Sequence, residues 1–376
     1  MADEEVSAIV IDNGSSRLRI GYAGDEVPRL TVPTLIGRPK MNSVRMGIEQ
    51  KEFYCCDEAV SKKGMLNMTS PIEKGIIKDW DDMERIWQHV LNEELKAQVE
   101  EHPVIMTEAP LNPKQYREKL TQLMFETFNV PCLYVSVQAV LSLYSSGRTS
   151  GLVLDTGDTI SFTVPIHEGY AISHATQKVS LGGRDITKYL SEFVAQQNLN
   201  LNMASDVDTL RDIKEKLCYV VSNYEESSQE ADQSHALDKT YDLPDGRKLT
   251  LGKQRFQIPE ALFNPSLISM ESDGLHKYAF DSILKCDVEA RRDLYQNIII
   301  AGGNSLFEGM GERLWQEMHL LAPSSQKIKV LAPPERKYSA WLGGAILSAL
   351  STFQTMWINK QEYDESGPSI IHRKCF

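Results

Sequence analysis

The sequence predicts an α/β protein made of two like α/β domains around a nucleotide cleft, and three observations carry that prediction. The stretches Ile9-Val-Ile-Asp-Asn-Gly-Ser-Ser16 and Leu152-Val-Leu-Asp-Thr-Gly-Asp-Thr159 repeat one pattern: an apolar strand, an Asp, then a Gly-containing turn with small polar residues. Strand-like and helix-like segments alternate along the chain, as in sheets covered by helices. With 376 residues, 41% of them hydrophobic, the chain is long enough for two cores.

Taken in order, Ile9–Asp12 reads as a buried strand, and Gly21–Pro39 as strand-turn-strand material rich in Gly and Pro. Lys40–Lys51 reads as a polar loop whose Met41, Val44, Met46 and Ile48 a partner could cover, or as a plain exposed loop. Asp79–Leu95 has helical spacing, with Trp80, Met83, Ile86, Trp87, Val90 and Leu91 on one apolar face. Lys114–Phe128 is a second helix with Pro113 suited to its first turn, and Val137–Tyr144 a buried one. Helices are also predicted over Asp185–Gln197 and over Asp206–Val221, with Asp206 as N-cap. Asn223–Lys239 is a surface loop or a loosely held helix, and Asp242–Gly246 a turn between strands. Asn297–Asn304 is a buried strand ending in a glycine pair, followed by a helix through Met318; a final apolar helix covers Ser339–Leu350, after the Pro333-Pro334 break.

The twin turns point to phosphate chemistry. Backbone N–H groups in such turns converge on anions, and Ser15, Ser16, Thr156 and Thr159 add hydroxyl donors. Asp12 and Asp155 stand at matching places, suited to hold a hydrated divalent cation through water. Gly302-Gly303 lets backbone approach a nucleoside, and Arg19 offers charge to the β- and γ-phosphates or is simply an exposed strand residue.

Bulk properties exclude several classes. A net charge of −12 disfavours nucleic acid or an anionic membrane surface as main partner. The Asp3-Glu4-Glu5 cluster could meet a basic partner or be a solvated terminus. No run reaches the roughly 18 apolar residues a membrane helix needs, and the acidic N-terminus lacks a signal-peptide pattern, so an intracellular protein is expected. The six cysteines, including adjacent Cys55 and Cys56, and the eight histidines show no metal-ligand spacing; reduced, mostly buried thiols are expected.

Many further stretches resemble the actin family, end to end. Among them are Trp80-Asp-Asp-Met-Glu84, Thr107-Glu-Ala-Pro110, Met124-Phe-Glu-Thr-Phe128, Gln138-Ala-Val-Leu-Ser-Leu-Tyr144, Ile213-Lys-Glu-Lys-Leu-Cys-Tyr219 and the tail from Ala332-Pro-Pro-Glu-Arg-Lys-Tyr338 to His372-Arg-Lys-Cys-Phe376. The resemblance implies the ATPase-clamp fold shared with sugar kinases and heat-shock chaperone ATPases. It implies a small-domain core over 1–33, 71–145 and 339–376 with an insertion at 34–70, and a large-domain core over 146–181 and 271–338 with an insertion at 182–270. ATP or ADP with Mg²⁺ or Ca²⁺ would be the ligands. Ser15, Ser16, Leu18, Arg19, Asp158 and Thr159 would contact phosphates; Asp12, Gln138 and Asp155 would order the waters of the cation. Gly183, Lys214, Glu215, Gly302, Gly303, Leu306, Phe307 and Lys337 would line the adenosine pocket. Gln138 is the catalytic candidate, orienting the attacking water in a reaction that runs on positioning and electrostatics, or else it is merely structural.

Several positions depart from the family pattern. Ser16 and Thr159 replace glycines, so a Cβ at Ser16 is expected to press on the turn; Arg19 replaces a lysine. Phe162 stands where actins carry a histidine that helps relay a proton, and Phe cannot transfer one, so slow hydrolysis is expected. Lys74 takes the place of a commonly methylated histidine. Family analogy makes Lys40–Lys51, which contains Arg45, the loop that inserts into a neighbouring subunit. Phe263–Glu271 resembles the plug toward the opposite strand, with Leu267, Ile268 and Met270 as tips or as core. A partner cleft of Tyr144, Gly147, Thr149, Ile346, Leu347, Leu350, Thr352 and Met356 would take a partner helix, unless Ile346, Leu347 and Leu350 are core. Expected partners are further copies of the chain, profilin- or cofilin-like proteins and myosin- or dynein-type motors, in a cytoplasmic, cytoskeletal setting with a nuclear or ciliary pool. Two readings follow: an ATP-dependent filament former, or a non-polymerising subunit of a dynein, chromatin-remodelling or capping assembly. A small-molecule kinase finds no sugar-site signal.

Overall fold

The computed structural model describes residues 6–40, 51–196, 201, 206–234 and 236–375. The expected insertion loop, with Met41, Val44, Arg45, Met46 and Ile48, and the acidic Asp3–Glu5 cluster lie outside the described residues. The chain forms two compact units: Met1–Thr149, Glu168–Ser173 and Tyr338–Phe376 in the first, Ser150–His167 and His174–Lys337 in the second.

The first unit is built on a six-stranded sheet in the order Ile358–Asn359, Cys132–Val137, Val104–Glu108, Ile9–Asn13, Arg17–Tyr22, Leu30–Pro33. Ile9–Asn13 runs parallel to Val104–Glu108 and antiparallel to Arg17–Tyr22. Its Ile9, Val10 and Ile11 are fully buried, each contributing about 1.5–3 kcal/mol of apolar burial. Continuous burial of that kind is why the run is apolar on both faces rather than alternating. Helices Gln138–Ser145 and Ser339–Ser348 pack against each other so closely that a Cβ on Gly343 would run into the Leu141 carbonyl. Trp341 Nε1 donates to the Val10 carbonyl at 3.1 Å, tying that helix pair to the strand that carries Asp12.

The second unit repeats the grammar. Gly151–Thr156 pairs antiparallel with Ser161–His167 and parallel with Ile298–Ala301, which pairs parallel with Val330–Leu331. Gln177–Val179 adds an antiparallel strand beyond Ser161–His167, as Leu30–Pro33 does beyond Arg17–Tyr22. Helices Leu275–Leu284 and Val288–Gln296 pack on this sheet.

Several elements differ from the sequence reading. The helix that follows Asp79 is α-helical only over Trp80–Gln88; His89–Glu94 widens into a π-turn that buries both Val90 and Leu91. Pro113 sits at the N-cap of Lys114–Glu126, one position before its first turn. Val207–Leu217 stops at Leu217, and Asp206 is its N-cap residue without a side-chain cap bond. Of the two readings of Asn223–Lys239, the helical one holds over Tyr224–Gln233, where Asn223 is the N-cap and its side chain accepts from Glu226 N at 3.3 Å. The helix after the glycine pair begins only at Met310, behind a 3₁₀ turn over Gly303–Leu306. Ser339–Ser348 is not the last helix, since Lys360–Ser366 and Ile371–Lys374 follow it. Within the expected plug, Leu267, Ile268 and Met270 are half-buried, neither core nor fully exposed tips.

Candidate functional site

In the first unit, Asp12 faces Arg19 and Asn13 faces Leu18 across a hairpin whose turn is Gly14–Arg17. A Cβ on Gly14 would collide with the Arg17 carbonyl, which is the local reason for glycine there. Thr34 clamps the turn: its Oγ1 donates to the Gly14 carbonyl at 2.8 Å and its N–H to the Ser16 carbonyl at 3.1 Å. Gly75 N donates to Ser15 Oγ at 3.3 Å. Ser16 does not have a positive φ, so its backbone conformation is one that a non-glycine residue adopts without strain. The Leu18 side chain is fully buried in the core, leaving only its backbone to meet a ligand. Lys74 is exposed on the neighbouring hairpin with φ +48°.

Asp12 is 2% exposed and held by three donors. Arg19 Nη1 donates to Oδ2 at 2.8 Å; Thr107 Oγ1 and Gln138 Nε2 donate to Oδ1 at 2.8 and 2.9 Å. Gln138 Nε2 also lies 3.2 Å from the Asn13 carbonyl and 3.3 Å from Thr107 Oγ1. With its amide nitrogen so committed, Gln138 keeps its carbonyl oxygen as the group able to accept from a water. The guanidinium that sequence reading offered to phosphates is thus engaged with Asp12. A carboxylate has about four acceptor sites, so Asp12 retains room for one more partner, such as a cation-bound water.

In the second unit, Asp155 faces Phe162 and Thr156 faces Ser161, with the turn over Gly157–Ile160. Gly157 N donates to the Ile160 carbonyl at 3.0 Å, closing the turn. Gly183 N and Arg184 N donate to the Gly157 and Asp158 carbonyls at 2.9 and 2.7 Å, fastening it to the helix Gly183–Gln196. The Asp158 carboxylate pairs with Arg184 at 3.0 Å and approaches Arg211 at 4.0 Å. A phosphate contact at Asp158 therefore falls to its backbone N–H. Thr159 Oγ1 is buried without a hydrogen-bond partner. A donor in that condition costs stability unless an acceptor meets it, and a phosphate oxygen is such an acceptor; this turn fits the group.

Gly302 has φ +86°, and a Cβ there would strike the Thr156 carbonyl and Asp155 Oδ1. Its glycine requirement is therefore met by the chain's own strand, whereas Gly303 has open space where a Cβ would go. Lys214 is buried, its Nζ donating to the Gly183 carbonyl at 2.9 Å; burial pushes its pKa down, against the pull of Asp158 and Glu215. Glu215 and Lys337 are exposed, Leu306 is 38% exposed and Phe307 is buried. Sequence reading missed Thr34, Thr107 and Asn304 as site builders, because lone hydroxyls and amides carry no spacing signal. Among the described residues, no group of three His, Cys, Asp or Glu could hold a metal directly, and no helix is long and apolar enough to cross a membrane.

The residues expected to line a partner cleft are exposed or half-buried. Ile346 and Leu350 are 41% and 48% exposed, and Leu347, Tyr144 and Met356 are half-buried, so Ile346 and Leu350 are not core. Gly147, Thr149 and Thr352 are exposed. All six cysteines are free thiols, five of them buried.

A comparison with protein families finds that the model described as Actin matches residues 3–376.

Proposed function

Because the chain belongs to the actin family, we propose that it binds ATP with a divalent cation, assembles into filaments and hydrolyses ATP slowly. Members of the family typically bind a nucleotide and a divalent cation. The observation that carries the reading is the pair of matching Asp-Gly hairpins, one per unit, with the orphaned Thr159 hydroxyl in the second. Backbone N–H groups of both turns, with Ser15, Ser16 and Thr159, are the donors suited to phosphate oxygens. Asp12 and Asp155 are the acids suited to the cation's waters, and Gln138 supplies the acceptor that would orient a water. When bound, the nucleotide would supply the phosphoanhydride and the cation the charge that offsets its cleavage. Phe162, 4% exposed and directly opposite Asp155, offers no proton relay, which is the ground for slow turnover.

High-speed pelleting across a concentration series in Mg-ATP tests the assembly claim: a pellet should appear only above a threshold concentration. Protein that stays in the supernatant would favour the second reading, a non-polymerising subunit of a larger complex. For hydrolysis, Phe162→His should raise the single-turnover rate; a wild-type rate equal to that of ordinary actin sinks the slow-turnover claim.

A further inference from the structure

The half-buried Leu267, Ile268 and Met270 lie in a loop, 264–273, whose two ends are fastened together in the second unit. Leu275 N donates to the Leu262 carbonyl at 2.9 Å, and a Cβ on Gly274 would run into the Phe263 carbonyl. The His276 ring stacks on Phe263, with centroids 5.8 Å apart and 26° between the planes. The Arg313 guanidinium lies 4.7 Å from the centroid of the same Phe263 ring. Beyond this neck the loop is bound by short turns, such as Leu267 N to the Asn264 carbonyl and Met270 N to the Pro265 carbonyl, both at 3.2 Å.

The neck contains one titratable ring and no acceptor placed to hold its charge. His276 is 9% exposed, and its Nδ1 is buried with no hydrogen-bond partner. Its Nε2 stands 3.9 Å from Glu317 Oε2, beyond hydrogen-bond reach. A neutral imidazole has one N–H and a charged one has two, so protonation adds a second buried donor without an acceptor. The carboxylates nearby are already engaged. Arg313 donates to both oxygens of Glu260 at 2.8 Å and to Glu317 Oε1 at 2.8 Å. Lys277 and Asp273, beside His276 in the chain, pair with each other at 3.0 Å. Burial pushes the His276 pKa below its ordinary 6.5, with Arg313 and Lys277 adding to that push and Glu317 and Asp273 opposing it.

We infer that His276 is an acid-sensitive latch on this loop: neutral, it closes the neck against Phe263, and protonated, it frees the loop to meet a second copy of the chain. An opened neck takes up the proton as pH falls through about 6.5, whereas the closed neck does so only at lower pH. Closure is therefore fully stabilised above that pH and weakens below it. What the freed loop meets rests on the assembly reading above; the latch itself belongs to the single chain.

The test is amide hydrogen exchange on unassembled protein at about pH 7.5 and about pH 5.5, with rates corrected for the intrinsic effect of pH. One proton taken up near 6.5 by the open neck alone lowers the protection of the Met270 and Leu275 amides about tenfold between those two conditions. His276→Phe keeps a ring against Phe263 and cannot titrate, so its protection should change by less than about twofold. His276→Gln, smaller and equally unable to titrate, gives the same reading where Phe does not fit. Wild-type protection that holds within about twofold overturns the latch, and so does a fall of equal size in the variants. The measurement needs no filament, so protein that never pellets would overturn the assembly reading and leave the latch to stand or fall on its own exchange rates.

Discussion

Asp12 and Asp155 occupy the same rung of two hairpins with turns of equal length, and their neighbours are opposite in kind. On one side Asp12 faces Arg19, and on the other Thr107 donates to it; Asp155 faces Phe162 on one side and Ala301 on the other. Neither Phe nor Ala has a charge or a side-chain hydrogen bond to give. Burial explains how each arrangement is tolerated. At 2% exposure Asp12 needs its charge compensated, because a buried unpaired carboxylate is costly; half-buried Asp155 keeps contact with water. The same local fold thus carries one acid held by three donors at positions 19, 107 and 138 and another whose two cross-strand neighbours are apolar.

Arg19→Met is expected to show the largest effect of that difference. Removing one partner of a buried pair costs about 3–5 kcal/mol, read as a lower urea midpoint for unfolding of the first unit. The double variant Arg19→Met with Asp12→Asn should recover most of the loss, since the stranded charge is then gone. A single variant within about 1 kcal/mol of wild type would mean that Thr107 and Gln138 suffice and that the two acids are less different than their neighbours suggest.

The contrast was only partly legible in the sequence. Both turns, both acids and the strands that carry them could be read, because apolar runs ending in Asp-x-Gly are local signals. That Arg19 turns to Asp12 rather than outward is set by antiparallel register, which places position 19 opposite position 12. The three donors to Asp12 come from positions 19, 107 and 138, and no local pattern joins them. Whether a turn position needs glycine depends on its φ and on what a Cβ would meet, which no local pattern shows: Ser16 has an ordinary φ, whereas a Cβ on Gly14 would collide with the Arg17 carbonyl and Gly302 combines a collision with a positive φ. The π-turn after Gln88 was invisible because it keeps Val90 and Leu91 on the buried side, as a regular helix would.

The second unit also buries a cation near its turn, Lys214, but gives it a backbone carbonyl instead of an acid. Its folded-state pKa lies below the ordinary 10.5 because burial disfavours the charged form. The unfolded chain therefore takes up that proton first as pH falls from 10.5, and stability contributed by the neutral amine is lost across that window. Lys214→Met should flatten the wild-type gain in urea midpoint on raising pH from about 8 toward about 10, other titrations cancelling in the difference. An equal gain in both proteins would place the titration elsewhere and remove this second contrast with Arg19.

The smallest effect is expected at Ser16. Were its Cβ strained, Ser16→Gly would stabilise the first turn; with an ordinary φ, glycine only adds freedom to the unfolded chain, lowering stability by about 0.5–1 kcal/mol. Thr159→Val at the turn's counterpart should go the other way or stay level, because the hydroxyl it removes is buried and unpartnered, and a methyl of the same shape needs no partner. Paired thermal melts of the two variants without nucleotide would read both signs together. Loss at Ser16 with no loss at Thr159 would mark the first turn as settled by its own contacts and the second as built around a group still to be bound. Loss at both would mean that the Thr159 hydroxyl is already satisfied within the folded chain, and the second turn would then be as complete in itself as the first.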